Sequence, residues 1–158
     1  MENLTDQLYG ERDACGVGFV AESSSDRCER ALPLALTALK RLEHRGAVHA
    51  DGRTGDGAGV LTAIPRELLL PSSSQSDFAV AMLFVPREAE ARRASLLVVT
   101  ETLASANLAC LAIREVPVRV HALGSVARDS RPEVFQALVA RPVGLDEDGF
   151  EHALLASR

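Results

Sequence analysis

The sequence predicts a fold that mixes helices with strands covered on both sides, and three observations predict it. Apolar residues recur at helical steps over residues 26–43 and again over 87–106. The run Phe78 to Val85 is apolar at every position. A strand-length segment of that kind leaves neither face for water, as in a sheet packed between two layers.

Composition agrees with one such domain. The 158 residues are 47% hydrophobic and 25% charged, enough to bury about two-thirds of the unfolded surface. One Tyr, five Phe and no Trp make the core mainly aliphatic. A net charge of -5 argues against a nucleic-acid or anionic-membrane partner, each of which calls for a basic face. Cys15, Cys28 and Cys110 form neither a CxxC nor an even disulfide framework, and read as the reduced thiols of a cytoplasmic protein. The N-terminus carries acids and no apolar h-region, so it is no secretory signal. The apolar runs are too short to span a bilayer.

In order, residues 1–14 are polar, hold Gly10 and four acids, and show no helical or alternating period. They read as a dispensable leader before a working chain of residues 15–158. A strand is expected from Cys15 to Ala21 and a polar turn over Ser23 to Ser25. From Asp26 to Glu43, Cys28, Leu32, Ala35, Leu36, Leu39 and Leu42 share one helical face. Lys40 and Arg41 suit the negative end of that helix and Gly46 its exit. Pro33 has to lie in the first turn or kink the helix.

Residues 45–59 carry glycine at 46, 52, 55, 57 and 59, which rules out a regular element and predicts a shaped loop. It is no phosphate cradle, because Gly59 leads into Val60 to Ile64, which reads as a strand rather than a helix opened by Gly-Lys-Ser/Thr. A metal set of His44, His49, Asp51 and Asp56 fits no standard spacing. After Pro65 come a short helix, a Ser72 to Ser76 linker, the Phe78 to Val85 strand, and a helix over 87–106 with Leu96, Leu97, Val99 and Leu103 inward. Strands are expected at Leu108 to Val120, around Pro117 and with Cys110 in the core, and at Val134 to Val139. A helix begins at Asp146 with Phe150, Ala153 and Leu154 on one side.

The chemistry-bearing residue is Cys15, in Asp13-Ala14-Cys15-Gly16-Val17-Gly18-Phe19-Val20. An ordinary thiol, with a pKa of about 8.5, is mostly protonated at neutral pH. Removal of residues 1–14 would give Cys15 a free α-amine with a pKa of about 7.7–8.0, a base on the same residue as the nucleophile. Gly16 and Gly18 would let a substrate approach the backbone. The plain alternative for these eight residues is a buried cysteine at the start of a core strand.

Together with the stretch Leu42-Glu43-His44-Arg45-Gly46-Ala47-Val48-His49-Ala50-Asp51-Gly52-Arg53-Thr54-Gly55-Asp56-Gly57-Ala58-Gly59-Val60, the Cys-Gly-Val-Gly-Phe motif resembles the start of the glutamate synthase large subunit. That region is a class II glutamine amidotransferase domain, one of the N-terminal-nucleophile (Ntn) hydrolases. The likeness is dense from Glu11 through Pro65 and diffuse beyond it, where Arg131-Pro132-Glu133 also fits. The resemblance implies an α+β fold, part of an Ntn-hydrolase αββα sandwich with mainly antiparallel sheets, truncated at its C-terminal side. It makes Cys15 the nucleophile. It also implies that residues 45–53 close over bound glutamine, with Arg45 and Gly46 at the substrate and Asp51 holding the loop; the plain alternative is a rigid glycine turn with an exposed arginine.

The implied activity is release of ammonia from L-glutamine through a Cys thioester, for transfer to 2-oxoglutarate in glutamate biosynthesis. The implied partners are L-glutamine, the remaining domains of the large subunit and its small subunit. No cofactor is expected in this chain; FMN and the iron-sulfur cluster belong to other parts of the parent enzyme. The oxyanion-hole asparagine and glycine of the family are expected beyond Arg158, which makes the chain alone inactive. Two other readings stand beside this one: a non-catalytic remnant or binding fragment, and another class II amidotransferase of the asparagine synthetase type, against which Thr54-Gly55-Asp56-Gly57-Ala58-Gly59 argues.

Overall fold

The computed structural model describes residues 16–23, 29–70 and 77–157. The expected leader (residues 1–14), Cys15, Cys28, most of the expected polar turn and the expected serine linker lie outside the described residues. The chain divides into two compact units, Met1–Ala63 with Leu123–Ala127, and Ile64–Ala122 with Arg128–Arg158.

In the first unit the helix α1 spans Ala31–Arg41. Pro33 falls in its first turn, where its missing N–H would find no partner inside the helix anyway. Lys40 and Arg41 close the last turn, at the negative end of the helix dipole. A single 3-10 turn, Glu43–Arg45, follows directly. Among the described residues, two expected strands are not formed. Residues 16–22 and 60–64 run without ladder partners, with Val17 96% and Phe19 93% exposed. Alternating or apolar sequence permits a strand, but only a neighbour's backbone groups make one.

The second unit opens with the short helix α2, Arg66–Leu69. Three strands form one antiparallel sheet in the order β1-β3-β2: β1 Phe78–Val85, β2 Cys110–Glu115 and β3 Glu133–Ala140. Phe78 stands opposite Ala140 and Val85 opposite Glu133. On the other side, Cys110 meets Val139 and Glu115 meets Phe135, with Leu111 bulged between Cys110 and Ala112. β3 is central, so its last four residues, Ala137 to Ala140, are all buried. β2 is shorter than the strand expected at 108–120, and the residues after it end in a 3-10 turn, Val120–Ala122.

Helix α3, Ala89–Ser105, links β1 to β2, and α5, Glu147–Ala156, follows β3. Both are capped as polar side chains require: Glu88 accepts from the amides of Glu90 and Ala91, and Asp146 from that of Gly149. Leu103 of α3, Phe150 of α5, Leu108 and Val139 form the core, with Val99, Ala79, Cys110, Ala153 and Leu154 packed on it. Leu97, expected inward, is exposed. One residue after Leu96, it is turned about 100° around the helix from it. Between β2 and β3 lies the short helix α4, Ser125–Ser130, which no periodicity announced.

The sheet's two faces differ. Ala79 and Val139 turn toward α3 and α5. The alternate residues of β1 turn the other way, with Phe78 buried beneath the Arg66 guanidinium 5.6 Å from its ring centre, and Met82 47% and Phe84 69% exposed. Asp77 ties this end together, pairing with Arg66 at 3.3 Å and with Arg141.

Candidate functional site

The glycine-rich stretch folds as a small closed loop with three levels. At its base Ala47 and Asp56 pair twice: Asp56 N donates to Ala47 O at 3.2 Å, and Ala47 N donates to Asp56 Oδ2 at 2.9 Å. Above them Val48 and Gly55 form an antiparallel bridge. At the top His49 N donates to Thr54 O at 2.7 Å, and Gly52 N closes a turn onto His49 O at 2.9 Å. Gly52 has φ +69, a left-handed conformation that glycine adopts without strain. Gly46 has no such need. It leaves the 3-10 turn extended, at φ -90 and ψ 148.

Asp51 organises the tip. Its Oδ1 accepts from Arg53 N at 3.0 Å and Thr54 N at 2.7 Å. Its Oδ2 accepts from Thr54 Oγ1 at 2.6 Å, Ser125 Oγ at 3.2 Å and Val126 N at 3.4 Å. The Thr54 hydroxyl, followed by the Thr54 and Arg53 amides, holds this carboxyl well below the usual carboxylate range. Asp51 is therefore a fixed anion whose oxygens are occupied by donors from within the protein.

Arg45 ends the 3-10 turn, exposed, with its amide donating to Leu42 O at 2.9 Å. Gly16, the residue after Cys15, lies against this turn. A methyl group on Gly16 would stand 3.2 Å from Leu42 Cδ2 and 3.6 Å from Arg45 Cδ. Cys15 itself is outside the described residues, but its neighbour Gly16 lies near the arginine that opens the loop. Gly46 follows Arg45 in the chain, while Asp51 sits at the tip of the loop.

The weighed metal set does not converge. His44 Nδ1 donates to Arg41 O at 2.9 Å, and Asp51 and Asp56 are taken up by the loop's own donors. Among the described residues no three His, Cys, Asp or Glu side chains are grouped to hold a metal ion. Cys110 belongs to the second unit, where burial pushes its thiol pKa up. Sequence reasoning missed the structural part of Asp56 and the whole of Gly124 to Ala127. An aspartate facing an alanine amide nine residues earlier has no periodic signature, and contacts across more than seventy residues have none either.

A sequence profile described as glutamine amidotransferases class-II matches residues 15–158. The chain belongs to that family. Within it, the chain is similar to the ferredoxin-dependent glutamate synthase 2 of Synechocystis sp., 41% identical over 96% of this chain. It is also similar to the glutamate synthase [NADPH] large chain of Azospirillum brasilense, 34% identical over 89%, and to the chloroplastic ferredoxin-dependent glutamate synthase 2 of Arabidopsis thaliana, 33% identical over 85%. The chain spans about a tenth of the length of these relatives.

Proposed function

We propose that this chain supplies the nucleophile and the substrate loop of the glutamine-hydrolysing domain of a glutamate synthase. The carrying observation is that Gly16, next to Cys15, lies by the turn that opens the glycine loop, where an added methyl group would meet Leu42 at 3.2 Å and Arg45 at 3.6 Å. A family match that starts at Cys15 supports a mature chain that also starts there, after loss of the leader 1–14.

In that mature chain the α-amine of Cys15 takes the thiol proton, directly or through a water molecule. The thiolate adds to the side-chain amide carbon of L-glutamine. The resulting ammonium returns a proton to the leaving nitrogen, ammonia departs, and a γ-glutamyl thioester remains. Water then adds to the thioester carbonyl, glutamate leaves and the thiol is restored. Arg45, a fixed positive charge beside the nucleophile's neighbour, suits the α-carboxylate of glutamine. The loop from Gly46 to Asp51 shields the thioester from bulk water.

The ammonia passes to 2-oxoglutarate in other domains of the same polypeptide, which are this chain's partners and hold any FMN or iron-sulfur cluster. Its reduced-thiol cysteine pattern supports a cytoplasmic setting. The architecture we propose for the intact domain is the Ntn-hydrolase αββα sandwich. A three-stranded antiparallel sheet with helices on one face and Met82 and Phe84 open on the other supports it.

Intact mass of the purified full-length polypeptide tests the reading. The mass should begin at Cys15, and Cys15→Ala should lower glutamine hydrolysis by about a thousandfold or more. Full activity with residues 1–14 retained would rule out the amine as base.

A further inference from the structure

Among the described residues of the first unit, Gly124 is the one that is buried. What surrounds it is the tip of the glycine loop. A methyl group placed on Gly124 would stand 2.5 Å from Asp51 Oδ2 and 2.6 Å from the backbone nitrogen of Thr54, and nearer still to Thr54 Oγ1. Carbon atoms do not sit that close to a peptide nitrogen, so any side chain here would displace the loop. The residues after Gly124 complete the seat. Ser125 Oγ and Val126 N donate to Asp51 Oδ2, and Ala127 N donates to Thr54 Oγ1 at 3.3 Å.

The two Asp51 oxygens thus divide the work. Oδ1 closes the loop on itself through Arg53 and Thr54, and Oδ2 reaches across to residues 125 and 126. Thr54 joins both parts, since its hydroxyl donates to Asp51 and accepts from Ala127. The same Thr54 pairs through its carbonyl with His49, and below that pair come Val48 with Gly55 and Ala47 with Asp56. Ala47 is two residues from Arg45. The hydrogen-bonded ladder therefore runs from Thr54 at the tip to Ala47 at the base.

We propose that Gly124, with Thr54 and Ser125, is a positioning site for the glutamine loop: the missing side chain at 124 lets the tip seat on residues 124–127, and the seated tip sets Arg45 for the substrate. This rests on the reading that the loop covers glutamine. None of the three residues touches the reacting atoms. Their effect falls on substrate capture rather than on the thiol.

The test uses the full-length polypeptide with Gly124→Ala, Thr54→Val and Thr54→Ser. Amide hydrogen exchange over residues 46–57 reads the seat directly, with or without activity, and steady-state glutamine hydrolysis reads its consequence. Gly124→Ala and Thr54→Val should speed exchange at residues 53 and 54 at least tenfold and raise KM for glutamine at least tenfold, with kcat changed less than threefold. Thr54→Ser, which keeps the hydroxyl, should restore both. Unchanged exchange in Gly124→Ala would overturn the seat. Faster exchange with an unchanged KM would overturn the positioning role. A wild-type polypeptide without glutamine hydrolysis would instead overturn the functional reading beneath it, and exchange in the variants would still decide whether the seat exists.

Discussion

Two phenylalanines in the second unit report on the sheet's two faces, and replacing each by alanine separates them. Phe150 is 8% exposed and packs with Leu103, Leu108 and Val139. Its truncation leaves a cavity among these side chains and should cost about 3–5 kcal/mol. Phe84 is 69% exposed, so about a third of it is buried. A third of the ~1.5–3 kcal/mol for a fully buried side chain is about 0.5–1 kcal/mol. In urea, with an m of about 1.5 kcal/mol/M, the midpoint should fall by roughly 2–3 M for Phe150→Ala and by about 0.5 M for Phe84→Ala. If Phe150→Ala prevents folding, Phe150→Leu provides a smaller cavity to measure. The 158-residue chain should also bind a hydrophobic dye through the Met82 and Phe84 face, and Phe84→Ala should reduce that binding. A loss above 2 kcal/mol at Phe84, close to that at Phe150, would show that this face is covered and that the exposed surface has been misassigned.

Two further predictions concern the site and its cysteines. Asp51 is held below its ordinary value of 3.8 by the Thr54 hydroxyl and the Thr54 and Arg53 amides; a lowered carboxyl contributes stability that is full well above that value and is lost progressively as pH falls from there toward the lowered pKa. Loop protection, corrected for intrinsic exchange, should therefore be level from pH 7 to pH 5 and fall as pH drops below 3.8, whereas Asp51→Asn should be weaker at pH 6 and show no such fall; wild-type protection unchanged far below 3.8, or lost already above pH 5, would contradict this. A glutamine-mimicking diazoketone should label Cys15 in the processed full-length polypeptide and spare Cys28 and Cys110, since burial raises the Cys110 thiol. Peptide mapping that found Cys110 labelled as fast as Cys15 would place the reactive site elsewhere.

The elements that could be read in advance are those whose signal is local. Phe78 to Val85 matches β1 residue for residue, and Val134 to Val139 lies inside β3. The helix over 87–106 brackets α3, and Asp146 caps α5 as its place before a helical period suggests. Even there the reach was limited. Leu97 shares the composition of the inward residues but not their angle, and is exposed. The apolar stretches at 15–21 and 60–64 contain what a strand needs chemically, yet the described parts of both are irregular, because pairing is a property of two segments and not of one.

At the loop, composition alone established that residues 45–59 form no regular element, because glycine at five positions removes the side chains and the backbone restriction that helices and strands rely on. Grouping Arg45 and Asp51 with Cys15 as a site came from the resemblance to the amidotransferase family, not from composition. Which groups meet was decided only in three dimensions. Asp51 accepts hydrogen bonds from Ser125 and Val126, and a side chain at Gly124 would collide with Thr54. These partners lie about seventy residues apart in the chain, a separation at which no periodicity or propensity operates. Their pairing follows from the fold, which brings Gly124 and the start of α4 onto the loop and leaves no room at Gly124 for a single methyl group.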